Sequence, residues 1–303
     1  MRTLVTGGAG FIGSHIVDLL IAGGHRPLVV DDFSTGRREN LHASAEVVEL
    51  DIAHEGLAAV LDHFGPDAVV HQAAQPAMPR SLAEPLLDCR SNILGTLNLL
   101  ECCRQSGVRR VVMASSAAVY GEPEQVPLQE NAATRPLSPY GLSKLTAEAY
   151  GQLYNRLHGM DVVALRYANV YGPRQDTRGE AGVVCLFITQ MLQAQQPVIH
   201  GDGRQTRDLV FVEDVARANL LALAPEVPSG VYNVGRGTGT DILTLFDLLN
   251  RGRLPRVHSG PRPGDIRHSV LDSSAFQRVS GWRALVPLDE GLARTVAHFQ
   301  TGG

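Results

Sequence analysis

Up to about residue 165 the apolar positions follow two rhythms in turn. Short runs rich in valine (RTLVT, PLVVDD, VVEL, DAVVHQA, RRVVMASS and DVVALRY) are apolar at successive positions. Such runs suit strands covered on both faces. Longer stretches separate them: GSHIVDLLIAGG, GLAAVLDHF, one ending NILGTLNLLECCRQSG, and YGLSKLTAEAYGQLYNRLHG. These read as helices. Strand and helix in alternation imply right-handed crossovers and a parallel, doubly wound sheet.

Beyond residue 170 the rhythm breaks, and Gly, Pro and Arg become prominent in YGPRQDTRGEAG, HGDGRQTRD and HSGPRPGDIRH. The expectation is a main domain over 1–168, with later segments returning to its sheet, and a smaller lobe made mainly from 169–303. No linker, repeat or low-complexity segment separates them, so the two should pack together around a cleft.

The chain has 303 residues, 44% hydrophobic and 19% charged, which is enough to bury a substantial core in an ordinary globular protein. A net charge of -4 with both signs dispersed argues against a nucleic-acid partner. Cys89, Cys102, Cys103 and Cys185 form no CxxC pair and no metal-ligand spacing. Buried thiols in a reducing compartment are the reading, with no metal. MRTLVTGG runs straight into a strand and a turn, and no apolar stretch approaches a membrane span. A cytoplasmic protein without signal peptide or membrane partner is therefore expected.

LVTGGAGFIGSH sets Gly7, Gly10 and Gly13 between a strand and a helix. Side chains there would keep a diphosphate from the backbone, while the helix N-terminus offers oriented N–H donors. The unit ends on Asp31 and Asp32, Asp31 being 18 residues past Gly13. An acid there accepts hydrogen bonds from ribose hydroxyls and repels a 2′-phosphate, favouring NAD over NADP. Arg37 and Arg38 read as solvated loop residues. Asp51 and Ile52, after the third strand, are placed to touch the adenine.

In SPYGLSK, Ser138 is a plausible N-cap and Pro139 suits the first helical position, which puts Tyr140 in the first turn and Lys144 one turn on. A nearby ammonium and the helix N-terminus favour a phenolate, the state a general base needs. A surface pair at this spacing would look the same. Ser115 and Ser116 end a strand, Ser116 lying 24 residues before Tyr140, and parallel strands finish at one edge of the sheet. A hydroxyl there can hold the substrate oxygen that exchanges a proton with Tyr140.

TGGAGFIGSH, SSAAVYGEP, PLSPYGLSKLTAE, RYANVYGPRQ, GDGRQTRDLVFVEDV and RPGDIRHSVLD follow one another along nearly the whole chain. In these motifs the sequence resembles the extended short-chain dehydrogenase/reductases, and within them the NAD-dependent epimerase/dehydratase family of the UDP-glucose 4-epimerase type. The resemblance implies an α/β fold: a doubly wound parallel Rossmann sheet with a smaller C-terminal α/β substrate lobe. It makes Ser116, Tyr140 and Lys144 catalytic. It makes Gly7, Gly10, Phe11, Ile12, Gly13, Asp31, Asp32, Asp51 and Ile52 contacts to NAD, with Ser34, Thr35 and Gly36 on the adenosine phosphate side. Gln72, Ala73, Ala74, Gln75, Asn92 and Tyr167 would line the rest of the cofactor groove. Arg207 and Arg262 would hold the phosphates of a UDP-sugar, with Asn169, Val183, Asp265 and Ser269 as further substrate contacts. A homodimer is implied, through helices following Arg80 and Tyr140. The apolar run LNLLECC would suit that interface, or equally a helix buried within the chain.

Family dehydratases carry an Asp-Glu pair just after the strand-end serine or threonine, and decarboxylases commonly a glutamate nearby. Here those positions are Ala117 and Ala118, which move no proton. The resemblance thus implies epimerisation at sugar C4 through a transient 4-keto sugar. The alternatives are a dehydratase or uronate epimerase of the same family, and a non-catalytic NAD-binding regulator, a class that commonly lacks the tyrosine or lysine. Ser269 stands where a large aromatic residue in other members restricts the sugar pocket, so UDP-N-acetylglucosamine is a candidate beside UDP-glucose. Pro76 replaces a phosphate-facing lysine of many galactose epimerases, with Arg80 a possible substitute.

Overall fold

The computed structural model describes residues 1–176, 182–262 and 265–301. The chain opens with β1 (Arg2–Thr6), α1 (Phe11–Ala22), β2 (Arg26–Asp31), β3 (Glu46–Glu49), α2 (Leu57–Phe64) and β4 (Ala68–His71). Two short helices, α3 (Met78–Ala83) and α4 (Pro85–Cys89), lead through a π-helical turn at Arg90–Leu94 into α5 (Gly95–Gln105). Then come β5 (Arg110–Ser116), α6 (Pro139–His158) and β6 (Asp161–Tyr167). The remainder holds β7 (Asn169–Tyr171), α7 (Val183–Leu192), β8 (Val198–His200), β9 (Thr206–Phe211), α8 (Val212–Ala222) and β10 (Gly230–Val234). It ends with β11 (Gly239–Asp241), α9 (Ile242–Asn250), β12 (Val257–Ser259), β13 (His268–Ser269), α10 (Ser274–Ser280) and α11 (Leu288–Gln300).

Seven strands form a parallel sheet in the order β10-β6-β5-β4-β1-β2-β3. Successive strand residues point to opposite faces. Leu4, Leu28, Val69, Val111 and Val162 pack on one side with Leu57, Leu61, Leu99 and Leu100. Their neighbours Val5, Val29, Val70, Val112 and Val163 pack on the other with Ile16, Val17, Leu20 and Val215. Both faces are therefore apolar, which is why the runs read as continuous. Burying each such side chain contributes roughly 1.5–3 kcal/mol. Strand order reverses between β1 and β4, and a crevice opens at such a point beyond the carboxyl ends of the strands.

The main layer also takes in β10 and α8, the latter packed along α1. The smaller α/β lobe is built around β9, which pairs with β11 antiparallel and with β7 and β13 in parallel. Its core gathers Phe187, Ile188, Leu209, Phe211, Leu245 and Phe246. LNLLECC turns inward: Leu99, Leu100, Cys102 and Cys103 are buried against the strands of their own chain. Among the described residues no helix is long and apolar enough to cross a membrane.

Candidate active site

A groove of about 370 Å³ lies at the reversal point. Its lining includes Gly7, Gly10, Phe11, Ile12, Gly13, Asp31, Asp32, Ser34, Thr35, Asp51 and Ile52 from the first half of the sheet. Gln72, Ala73, Ala74, Gln75, Tyr140, Lys144 and Tyr167 complete the wall from the second half. The α1 N-terminus begins at Gly10 with no side-chain cap and no acid in its first turn. Its N–H donors are left to an anion. A Cβ on Gly13 would lie 2.1 Å from the Gly7 carbonyl oxygen, so only glycine lets the helix start this close to the strand. Asp31 is fixed at the far end, its two oxygens accepting from the N–H groups of Ala9 and Phe33, each at 2.9 Å. Burial pushes its pKa up, and these two bonds pull it back. Glycine cradle, bare helix end and anchored acid together fit an NAD molecule.

Two expected cofactor residues lie outside this lining. Gly36 is packed under Asp31, where a Cβ would stand 2.6 Å from Oδ1. Asn92 is buried behind the wall and holds it in place, accepting from Gln75 N–H at 2.8 Å and donating to Gln75 C=O at 3.1 Å. Arg37 and Arg38 are not simply solvated: they pair with Asp176 and Glu49.

α6 starts as its sequence requires. Ser138 Oγ accepts from Gly141 N–H at 3.1 Å, and Pro139 occupies the first turn. Tyr140 and Lys144 thus share a face, turned to the carboxyl end of β5. The serine pair divides by strand alternation. Ser115 sends its hydroxyl to the buried Glu148, which is itself paired with Arg166 at 2.7 Å. Ser116 accepts from Ala118 N–H at 3.1 Å and stands beside the Tyr140 phenol, whose pKa it draws down. Lys144 is buried and donates to Ala114 C=O at 3.1 Å. Burial brings its pKa down to about 8, against the opposing charges of Asp88 and Glu148.

The phenol departs from the sequence expectation of a lowered pKa. Burial pushes Tyr140 up, the Ser116 hydroxyl draws it back, and the charge of Asp88 raises it further. The spacing of Tyr140 and Lys144 carries no information on desolvation, which here outweighs the help of neighbours.

A second cluster forms in the smaller lobe. Arg207, on β9, is paired with Asp265 and donates to the Ile266 carbonyl at 2.7 Å. Ser269 sits opposite Arg207 in the β9–β13 register, and the carbonyl of Arg262 accepts from Asp265 N–H at 3.2 Å. Pro263 and Gly264 of the RPGD motif fall outside the described residues. Asn169 is exposed at the start of β7, and Val183 is partly buried at the start of α7. The chain just after Ser116 reaches this cluster, since the Glu122 carboxylate accepts from Arg267 N–H at 3.2 Å.

Residues 3–235 match the model of the NAD dependent epimerase/dehydratase family. The chain belongs to this family. It is 43% identical to a UDP-glucose 4-epimerase of Mycolicibacterium smegmatis, over 99% of both chains. In structure it is similar to a UDP-glucose 4-epimerase from Thermotoga maritima solved with UDP-glucose, with a TM-score of 0.97 and 43% identity over 100% of this chain and 99% of that one. A UDP-N-acetylglucosamine 4-epimerase from Methanobrevibacter ruminantium, in complex with UDP-N-acetylmuramic acid, superposes with a TM-score of 0.93 at 37% identity, covering 100% and 99%.

Within this epimerase/dehydratase fold, several groove residues escaped the sequence reading. Leu50, Leu87, Arg90 and Ser91 line it without belonging to any motif. Pro76 and Arg80 both reach the groove, Arg80 with its Nε 3.3 Å from Glu84. Asn219, on α8, holds Tyr167 and Gln72 by hydrogen bonds of 2.8 and 3.1 Å. An asparagine aligned inward at mid-helix was its only signal, and that signal is not specific.

Proposed function

We infer that the protein is an NAD-dependent nucleotide-sugar 4-epimerase, inverting C4 of a UDP-hexose through a transient 4-keto sugar. UDP-glucose and UDP-galactose are the first substrates. Small Ser269 beside Arg207 supports UDP-N-acetylglucosamine as a further one. The carrying observation is that Tyr140 and Lys144 line the groove that holds the glycine turn, with Ser116 beside the Tyr140 phenol at its edge. The turn that follows presents Ala117 and Ala118, so the site lacks the extra acid and base of a dehydratase there.

When bound, NAD supplies the acceptor and then the donor of the C4 hydrogen. Gly7, Gly10, Gly13 and Asp31 would hold its adenosine diphosphate half, and Lys144 its nicotinamide ribose. Tyr140 takes the proton of the sugar 4-hydroxyl and later returns it, while the Ser116 hydroxyl steadies that oxygen. Lys144 keeps its ammonium below about pH 8, which favours the charged phenolate at the moment of transfer. Arg207 and Arg262 anchor the diphosphate, leaving the sugar free to present its other face. The protein works as a cytoplasmic homodimer, its interface formed by α3, α4 and α6, which stand side by side with exposed leucines.

Product analysis tests the reading. The protein should interconvert UDP-glucose and UDP-galactose without net consumption of NAD, and Tyr140→Phe should lower kcat by about 10²–10⁴-fold. A dehydrated or decarboxylated product, or an unaffected Tyr140→Phe protein, overturns it.

A further inference from the structure

Asp88 has no part in the chemistry described so far, yet it is only 1% exposed. Glu148, the other buried carboxylate beside Lys144, is matched by Arg166 at 2.7 Å. The hydrogen-bond donors that reach the Asp88 side chain are neutral amides: Asn92 Nδ2 at 2.9 Å and Gln75 Nε2 at 3.3 Å, both to Oδ1. A carboxylate taken out of water without a cation is costly. Among the described residues no guanidinium forms an ion pair with it.

The network gives it a direction. Asn92 Nδ2 also reaches Ser143 Oγ at 3.1 Å, and Ser143 Oγ donates to the Tyr140 carbonyl at 2.9 Å. Asp88 is thereby tied to the turn of α6 that carries Tyr140 and Lys144. Lys144 is faced by Asp88 from α4, by Glu148 from its own helix and by His71 from β4. Tyr140 is faced by Ser116 from β5, by Asp88 and by Tyr167 from β6. Glu148 also acts on Lys144 but is paired with Arg166, whereas Asp88 forms no such pair among the described residues and is the larger of the two charges acting on Lys144.

We propose that Asp88 is a positioning residue whose charge acts on the Lys144–Tyr140 pair through the buried interior, touching neither substrate nor the Lys144 ammonium. This rests on the epimerase reading. Its negative charge favours protons on both partners, holding the ammonium and opposing the phenolate. The two effects give a signature that loss of packing does not.

Asp88→Asn keeps the oxygen that accepts from Asn92 and Gln75 while removing the charge. In the NAD-loaded enzyme, both limbs of the kcat–pH profile should move to lower pH by about half a unit or more. Asp88→Glu should restore both. Lower turnover with both limbs in place marks a structural role and overturns the proposal. Tyrosinate absorbance, taken as the difference between each protein and its Tyr140→Phe counterpart, reads the same shift without turnover. If the wild type leaves sugar nucleotides unchanged, the epimerase reading fails, and an unmoved phenol midpoint still overturns the role of Asp88. Should Asp88→Asn not fold, Asp88→Glu decides: an acid shift despite the retained charge overturns the proposal, and wild-type limbs support it.

Discussion

Gly141 follows the tyrosine by one residue, and its place in a helix invites the ordinary argument that alanine would add about 1 kcal/mol of helix stability. Packing reverses that expectation. A Cβ there would lie 2.6 Å from the Ala118 carbonyl oxygen, a backbone atom with little freedom to yield. The same close approach brings Tyr140 to Ser116. Gly141→Ala should therefore destabilise the protein by about 1–3 kcal/mol, the usual cost of overpacking, and lower turnover as well. Denaturant unfolding with parallel kinetics checks this, and a stabilised, fully active variant contradicts it. Residue types and spacings in the sequence were enough to name Tyr140, Lys144 and the serine pair. They were silent on which hydroxyl faces the phenol and on the sign of its pKa shift, because the first depends on how the end of β5 meets the first turn of α6 and the second on how much water reaches the ring.

At the scale of elements, α6 was legible because its ends are written locally: Ser138 caps it, Pro139 opens it and Gly159 closes it in a left-handed conformation. The segment from Met78 to Gln105 was less so. It reads as one helical stretch, yet it breaks before Pro85, which supplies no N–H to a continuing helix, and again at the π-helical turn containing Asn92. Those breaks place Asp88 and Asn92 inside and leave Leu86 86% exposed. On the neighbouring α6, Leu157 is 64% exposed, with Leu142 and Leu153 also open to solvent. LNLLECC went to the intrachain core, and these leucines, with Leu82 on α3, are apolar surface that the proposed dimer would cover. In the proposed dimer each leucine buried is worth roughly 1.5–3 kcal/mol. Leu86→Glu combined with Leu157→Glu should yield a folded monomer by sedimentation velocity. An unchanged dimer would place the interface elsewhere.

For the molecule as a whole, the sheet was readable in the first 165 residues, while β9, β11 and β13 were not, since their pairings join residues far apart in a stretch dominated by Gly, Pro and Arg. The consequence of a sheet covered on both faces is clearest at His71, near its centre. Thr96 gives its hydroxyl proton to the Asn92 carbonyl at 2.7 Å, so it accepts from His71 Nε2–H at 2.9 Å. Nδ1 is then the acceptor, from the Thr6 hydroxyl at 2.7 Å. The neutral ring is satisfied. Burial first, and the charge of Lys144 second, lower its pKa to about 3. Between the ordinary histidine value of about 6.5 and that lowered one, the unfolded chain binds a proton that the folded chain does not. Stability is therefore complete above that range and falls with acidification by about 1.4 kcal/mol per pH unit. From pH 6.5 to 5 the loss at this one residue is about 2 kcal/mol. Urea unfolding at several pH values should show a shallower dependence over this range for His71→Gln than for the wild type, whatever the variant's stability at neutral pH. Equal slopes would mean that the other histidines and the carboxylates carry the whole acid response, and that water reaches His71 in the folded state.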